Sequence, residues 1–210
     1  LHSEHYSEKN FIQNNDYSWP GDFEGRTLLA LTCLSRLLHT GCPESYLAIA
    51  EKNVNADKYF GKLFDGKTAN EQQISGNSWY LRALAAVYRE FGNAFAYDSI
   101  HSIVDKFVVR LAPFYEKYPV DEDSRDPSKK GEAIGAFYTN AVDGWLLSTD
   151  TGCAFIALDG FTSAYDIYPS QALKELIERM IDKFMSIDKV GAHCQTHATL
   201  SAARGIMRYY

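Results

Sequence analysis

Charge is shared very unevenly among the helical stretches of this chain, and that unevenness restricts the fold more than any other feature. Between 170 and 186, Lys174, Glu175, Glu178, Arg179, Asp182 and Lys183 stand opposite Leu173, Leu176, Ile177, Met180, Ile181 and Phe184. That pattern is an amphipathic helix with one face in water. A helix near 23–40, by contrast, has Arg36 as its single charge between Thr27 and Leu38. One near 77–91 has only Arg82 between Ser78 and Tyr88, and one near 153–167 has only Asp159 and Asp166. Helices that are apolar nearly all round are covered on both sides. Further helical periodicity falls at 44–64, at 96–117 (Ile100, Ile103, Val104, Phe107, Val108, Leu111) and at 190–210. About seven helices therefore alternate between inner and outer positions. The fold predicted is all-α, an incomplete α/α toroid of alternating hairpins. Leu34, Leu84, Phe161 and Ala202 are expected inside, and Lys174, Glu178 and Lys183 in water.

One small β-hairpin is expected near 137–149. FYTNAV and WLLSTD flank Asp143-Gly144, a pair suited to a type I′ turn. Turn chemistry accounts for Asp143 without a catalytic role. Tyr138 and Trp145 offer ring faces either to a ligand or to the helices beneath. Residues 119–132 are charged and carry Pro and Gly, which makes a solvated loop.

Residues 1–18 read as a polar N-terminal segment and 19–210 as the partial toroid domain. The start LHSEHYSEKNFIQNN lacks Met, a basic n-region and an apolar h-region. Tyr210 falls in mid-helix, where a Gly or Asn would normally follow. The expectation is a domain cut at both ends, with its own C-terminal part missing. A net charge of −6 without a basic cluster argues against nucleic acid, and no run of about 18 apolar residues exists to span a membrane. Cys33, Cys42, Cys153 and Cys194 show no CxxC spacing and read as buried free thiols. Their even number leaves a disulfide open, and with it the localisation.

Each predicted inner helix opens with a Gly among polar or aromatic residues. The four openings are Pro20-Gly21-Asp22-Phe23-Glu24-Gly25-Arg26, Ser75-Gly76-Asn77-Ser78-Trp79-Tyr80, Thr151-Gly152-Cys153 and Gly191-Ala192-His193-Cys194-Gln195. Asp22, Asn77 and Thr151 are each good N-caps, and capping explains any one of them alone. Four in register turn polar side chains and unpaired N–H groups toward one end of the ring, which makes a pocket. His193 and His197, four apart, would share one face of the last helix. Cys194 stands where H-E-x-x-H needs its Glu, so a metalloprotease is excluded. A metal held by His193, His197 and a carboxylate such as Asp159 is the weaker alternative to hydrogen bonding of a neutral ligand's hydroxyls. One of the two imidazoles could also be a satisfied core histidine. There is no G-x-S-x-G, phosphate loop or dinucleotide fingerprint. Paired carboxylates for glycoside chemistry are available from Asp22, Glu24, Asp159 and Asp166, and spacing chooses no pair. The aromatic content of 14% suits a thick core and sugar-stacking surfaces alike.

WPGDFEGRTLLALTCLSRLL, SGNSWYLRALAAVYREFGN and HATLSAARGIMRYY resemble the N-terminal half of an (α/α)6-barrel carbohydrate enzyme. The nearest resemblance is to glycoside hydrolase family 127, the β-L-arabinofuranosidase relatives. Members have Gly-Asp in the first inner helix, Gly-His opening the second and His-Ala opening a later one. Gly21-Asp22 and His197-Ala198 match; Asn77 stands where the family has His, which keeps a hydrogen-bonding role and loses an imidazole one. The resemblance covers most of 19–210. It implies a glycoside hydrolase acting on sugars derived from plant or microbial polysaccharides. In that family the catalytic Cys, the zinc ligands and the acid/base Glu lie downstream of the His-Ala helix. The resemblance therefore implies no catalytic residue, metal ligand or cofactor within this stretch, with zinc belonging to the complete protein. What carries over is a set of candidate substrate contacts: Asp22, Glu24, Asn77, Trp79, Asp159, His193 and His197. Polysaccharide lyases, uronyl hydrolases and sugar epimerases share the general pattern. A non-enzymatic helical-repeat module would show a long groove for a partner protein rather than a polar pit.

Overall fold

The computed structural model describes residues 19–120, 141–148 and 150–210. In chain order these form α1 (Asp22–Leu37), α2 (Glu44–Asn53), β1 (Ala69–Asn70), α3 (Glu71–Phe91), α4 (Ala94–Ile103), α5 (Ala112–Tyr115), β2 (Trp145–Leu146), α6 (Ala157–Tyr165), α7 (Gln171–Ser186) and α8 (Thr196–Tyr209). A π turn, Val104–Val108, and a 3-10 turn, Val109–Leu111, keep the chain helical from α4 to α5. Another 3-10 turn, Cys153–Ile156, leads into α6. The fold is all-α with one small β element.

Helices α1, α3, α6 and α8 pack side by side in that order. Pairings along their length fix their direction. Gly25 and Arg36 of α1 meet Tyr80 and Glu90 of α3, start to start and end to end. Ser78 of α3 accepts the Gly160 N–H of α6, while Arg89 reaches Asp166 near the end of α6. Leu158 and Tyr165 of α6 face Gly205 and Tyr209 of α8. The four helices run parallel, so each needs a return path. The outer elements supply it: α2 returns α1, the α4–α5 rod returns α3, and α7 returns α6. This is the alternation that the charge pattern predicts.

Each crossing in the inner row is made at a glycine. A Cβ at Gly25 would stand 2.3 Å from the Tyr80 nitrogen, one at Gly160 2.2 Å from the Ser78 carbonyl oxygen, and one at Gly205 2.5 Å from the Leu158 carbonyl carbon. Backbones approach this closely only where no side chain intervenes. Leu84, Phe161 and Ala202 are buried in the core between the layers, as are Leu173, Leu176, Ile177 and Met180 of α7. Lys174, Glu178 and Lys183 are partly exposed on the other face of α7.

Several expectations need correction. Leu34 is 41% exposed, and Leu37 and Leu38 more so. Among the described residues α1 has a row neighbour on one side alone, so its apolar circumference is only half covered. The helix expected over 44–64 stops at Asn53, and residues 54–68 are irregular. Helix α3 starts at Glu71 instead of 77, with the Asn70 side chain accepting the N–H groups of Gln72 and Gln73. Helix α8 starts at Thr196; residues 191–195 belong to the approach, with His193 at φ 48°. His193 and His197 therefore do not share a helix face. The four cysteines are free, but Cys33 is exposed and Cys153 alone is fully buried.

The Asp143-Gly144 turn is present, with φ of 50° and 84°. Val142 and Trp145 exchange both backbone hydrogen bonds across it, at 2.9 and 2.8 Å. Tyr138 and the rest of 137–140 lie outside the described residues. The strand leaving the turn pairs in parallel with Ala69–Asn70. Trp145 is fully buried, donates its indole N–H to the Phe114 carbonyl at 2.9 Å, and meets Tyr115 and Tyr118 edge-on. Of its two readings, packing on the helices is the one observed.

Candidate functional site

Parallel inner helices bring their first turns to one end, and a cavity of about 150 Å³ opens there. Helix α1 contributes Asp22 and Arg26, with Trp19 just ahead of it; α3 contributes Ser75. Cys153 and Ile156 come from the turn before α6, and Gln195 and His197 from the start of α8. The backbone N–H of Gln195 donates to the Thr151 carbonyl at 3.0 Å, tying the last two starts together. The Gln195 side chain caps α8 by accepting the Ala198 N–H at 2.6 Å. Trp19, Cys153 and Ile156 of the lining join Trp79 and Ala198 in an apolar cluster distinct from the main core.

The polar wall is ordered by short-range pairing. Asp22 accepts from Arg26 Nε at 2.9 Å, one helical turn on. The Arg26 guanidinium lies 4.1 Å from the centre of the Trp79 ring, a cation–π distance. His197 stacks nearly parallel to the same indole, with ring centres 6.0 Å apart. Its pKa is lowered, first by burial and then by the nearby charges of Arg26 and Arg204, with Asp22 acting against them. At neutral pH the imidazole is therefore uncharged and presents one donor and one acceptor. Ser75 Oγ and Trp79 Nε1 are both buried without a hydrogen-bond partner. Such groups are rare in folded proteins and call for an explanation.

The other candidates face elsewhere. Glu24 is buried and accepts the Gly21 N–H at 3.1 Å, the N3 half of a capping box whose other half a glycine cannot supply. Asn77 is the seventh residue of α3, not its cap. Its side chain accepts the Phe60 N–H at 2.8 Å and donates to the carbonyls of Phe60 and Gln73 at 3.0 and 2.9 Å. Those bonds pin the irregular 54–68 stretch and leave the amide committed to backbone. His193 is exposed in its turn. Of the seven sequence candidates, Asp22 and His197 line the cavity, Trp79 packs behind it against His197, and Glu24, Asn77, Asp159 and His193 stand apart from the lining.

Asp159 has a different setting. Its carboxylate is nearly enclosed and is reached by Arg204 at 2.5 Å, Arg208 at 2.6 Å and Arg82 at 3.1 Å. Burial by itself would raise the Asp159 pKa, but hydrogen bonds from Arg204 and Arg208 and the charge of Arg82 outweigh it and hold the carboxyl below its usual value. A carboxylate so engaged is not offered to a metal. Among the described residues no three His, Cys, Asp or Glu side chains come together in a way that could hold one.

Sequence reasoning passed over Trp19, Ser75, Gln195 and above all the arginines, Arg26, Arg82, Arg204 and Arg208. The signal for Arg82, Arg204 and Arg208 was present: each is among the few charges on an otherwise uncharged inner helix, where a lone charge must find a partner. Compared with family models, with curated proteins and with solved structures, the chain matches none.

Proposed function

We propose that the cavity at the converging helix starts binds a sugar, and that the chain belongs to a carbohydrate-active enzyme, a glycoside hydrolase in the first instance. The observation that carries this reading is the lining. One carboxylate, one guanidinium, one neutral imidazole and an unpartnered hydroxyl stand beside two indoles, in a pit drawn from four separate helices. Hydroxyl-rich ligands need such a mixture of donors and acceptors beside an apolar ring face. A cavity of about 150 Å³ has room for one small ring, the scale at which engineered cavities admit a benzene. A compact polar pit also favours a small ligand over the long groove that a helical scaffold would offer a protein.

For hydrolysis, Asp22 is the one carboxylate among the described residues that lines the cavity, and glycoside chemistry ordinarily uses two. The role proposed for this site is thus recognition and orientation: Asp22 and His197 hold hydroxyls, Arg26 is steadied by Asp22, and Trp19 and Ile156 supply the apolar side, with Trp79 packed behind them. Titration of the chain with a panel of monosaccharides, followed by tryptophan fluorescence, tests the binding. Saturable quenching or enhancement is expected, weakened by about tenfold or less in His197→Ala, the loss of one hydrogen bond. A chain whose fluorescence responds to no sugar sinks the reading. Incubation with polysaccharide then separates the reactions. Hydrolysis releases saturated reducing sugars, a lyase leaves an unsaturated uronic acid absorbing in the ultraviolet, and an epimerase cleaves nothing.

A further inference from the structure

Positive charge exceeds negative charge in the two ion-pair groups that flank Trp79, one in the cavity wall and one behind it. Arg26, Arg82, Arg204 and Arg208 share two carboxylate partners, Asp22 and Asp159. Within these ion pairs four cations meet two anions, on a chain whose net charge is −6. One guanidinium would neutralise Asp159, yet three surround it. Asp159 is enclosed, while the Arg204 side chain keeps 42% of its surface open to solvent. The surplus is therefore accessible. It is gathered around Trp79: the guanidinium carbons of Arg26, which lines the cavity, and of Arg82 and Arg204, which do not, lie 4.1, 5.2 and 5.4 Å from the centre of the Trp79 ring. That ring stacks on His197 of the cavity, and its Nε1 is a buried donor lacking an acceptor. Ser75 Oγ, in the cavity lining, is likewise buried and unpartnered. Arg82 reports the same crowding, since burial and then the charges of Arg204 and Arg208 act against the support of Asp159 and lower its pKa.

We infer that the sugar taken by this site carries an anionic group, a carboxylate as in a hexuronic acid, and that the guanidiniums around Trp79 receive it. The inference rests on the sugar reading above and names the class of sugar. A planar carboxylate matches the fork of a guanidinium. Asp22 in the same wall disfavours a dianionic phosphate more than it disfavours a singly charged carboxylate. Arg204 is the most open of the three arginines on Asp159 and is the residue that a carboxylate would reach first.

The test titrates the full chain with glucuronate, with glucose and with glucose 6-phosphate, at low and at high sodium chloride. Glucuronate is expected to bind at least about tenfold more tightly than glucose, with the advantage shrinking as salt screens the charges. Arg204→Gln should remove most of that advantage without changing glucose binding, and Arg204→Lys should restore part of it. Circular dichroism checks that each variant folds; if Arg204→Gln does not, the salt dependence and the three-ligand comparison on the unaltered chain decide alone. Glucose binding as tightly as glucuronate overturns the anionic site and leaves the sugar reading standing. Glucose 6-phosphate binding more tightly than glucuronate overturns the choice of carboxylate. If no sugar binds, charged or neutral, the sugar reading itself fails and this inference falls with it.

Discussion

Two buried carboxylates stand in the first turns of inner helices, Glu71 on α3 and Asp159 on α6, and are satisfied by opposite means. Glu71, fully buried at the first turn of α3, accepts from Tyr118 Oη at 2.5 Å, Ser148 N–H at 2.8 Å, Ser148 Oγ at 3.1 Å and Ala154 N–H at 3.0 Å. Those donors are neutral, and Tyr118 Oη also accepts the Gly152 N–H at 2.9 Å. Asp159, on α6, is satisfied by three cations. Among the described residues the Glu71 network runs through neutral donors and fastens Ser148, Gly152 and Ala154 to α3. The Asp159 network does not close, because three guanidiniums cannot all be neutralised by one carboxylate. Neutral donors make a fastener, whereas excess cations make a field that reaches beyond the protein.

The contrast is broken most directly at Glu71. Glu71→Ala strands four donors in a sealed interior and should cost about 3–5 kcal/mol, read from urea unfolding. Added salt should not recover it, since the donors left behind among the described residues are neutral. Asp159→Asn should cost less, about 1–3 kcal/mol, because Arg82, Arg204 and Arg208 are partly exposed and can turn toward water. Here high salt should return a good part of the loss by screening three mutually repelling cations. Equal salt responses in the two variants would break the comparison.

Acid sharpens it further. The Asp159 pKa is depressed in the folded chain, so its contribution is fully present above the ordinary aspartate value near 4 and is lost as pH falls through the folded value. The stability gap between the unaltered chain and Asp159→Asn should therefore narrow as pH falls below about 4. A gap that widens on acidification would contradict the pairing. The smallest effect sets the floor. Arg36 and Glu90 pair at 3.1 Å with the Arg36 side chain 71% exposed, and Arg36→Ala should change stability by less than about 0.5 kcal/mol.

The layering of the fold could be read in advance because charge content reports which helix surfaces meet water, and that is decided helix by helix. Helix starts were harder. In α3 the run Glu71-Gln72-Gln73 looks like loop, since buried polar residues are ordinarily rare. Here Gln73 donates to the Phe60 and Lys62 carbonyls, and Asn77 grips the Phe60 backbone; both partners lie in a stretch whose path no local pattern reveals. In α8 the cap is Gln195, outside the residue types that favour that position, so no local signal marks the start at Thr196 or separates the two histidines. The meeting of four helix starts followed from the alternation alone. Which side chains faced inward did not, because Asn77 and Glu24 suit a pocket and a cap equally well, and only the partners within reach decide.

The glycines at the inner crossings have a consequence for the cavity, although none of the three lines it. Gly25, Gly160 and Gly205 act as spacers of zero thickness, setting the pitch at which one inner helix follows the next. Since the cavity is the gap between helix starts, its width is gauged from behind, by positions that no ligand touches. A methyl group at Gly160 would meet the Ser78 carbonyl at 2.2 Å and force α3 and α6 apart, changing the bore of the site while leaving every residue in its wall the same. The bore of the cavity is then a property of the row as a whole, open to adjustment by single carbon atoms along its spine.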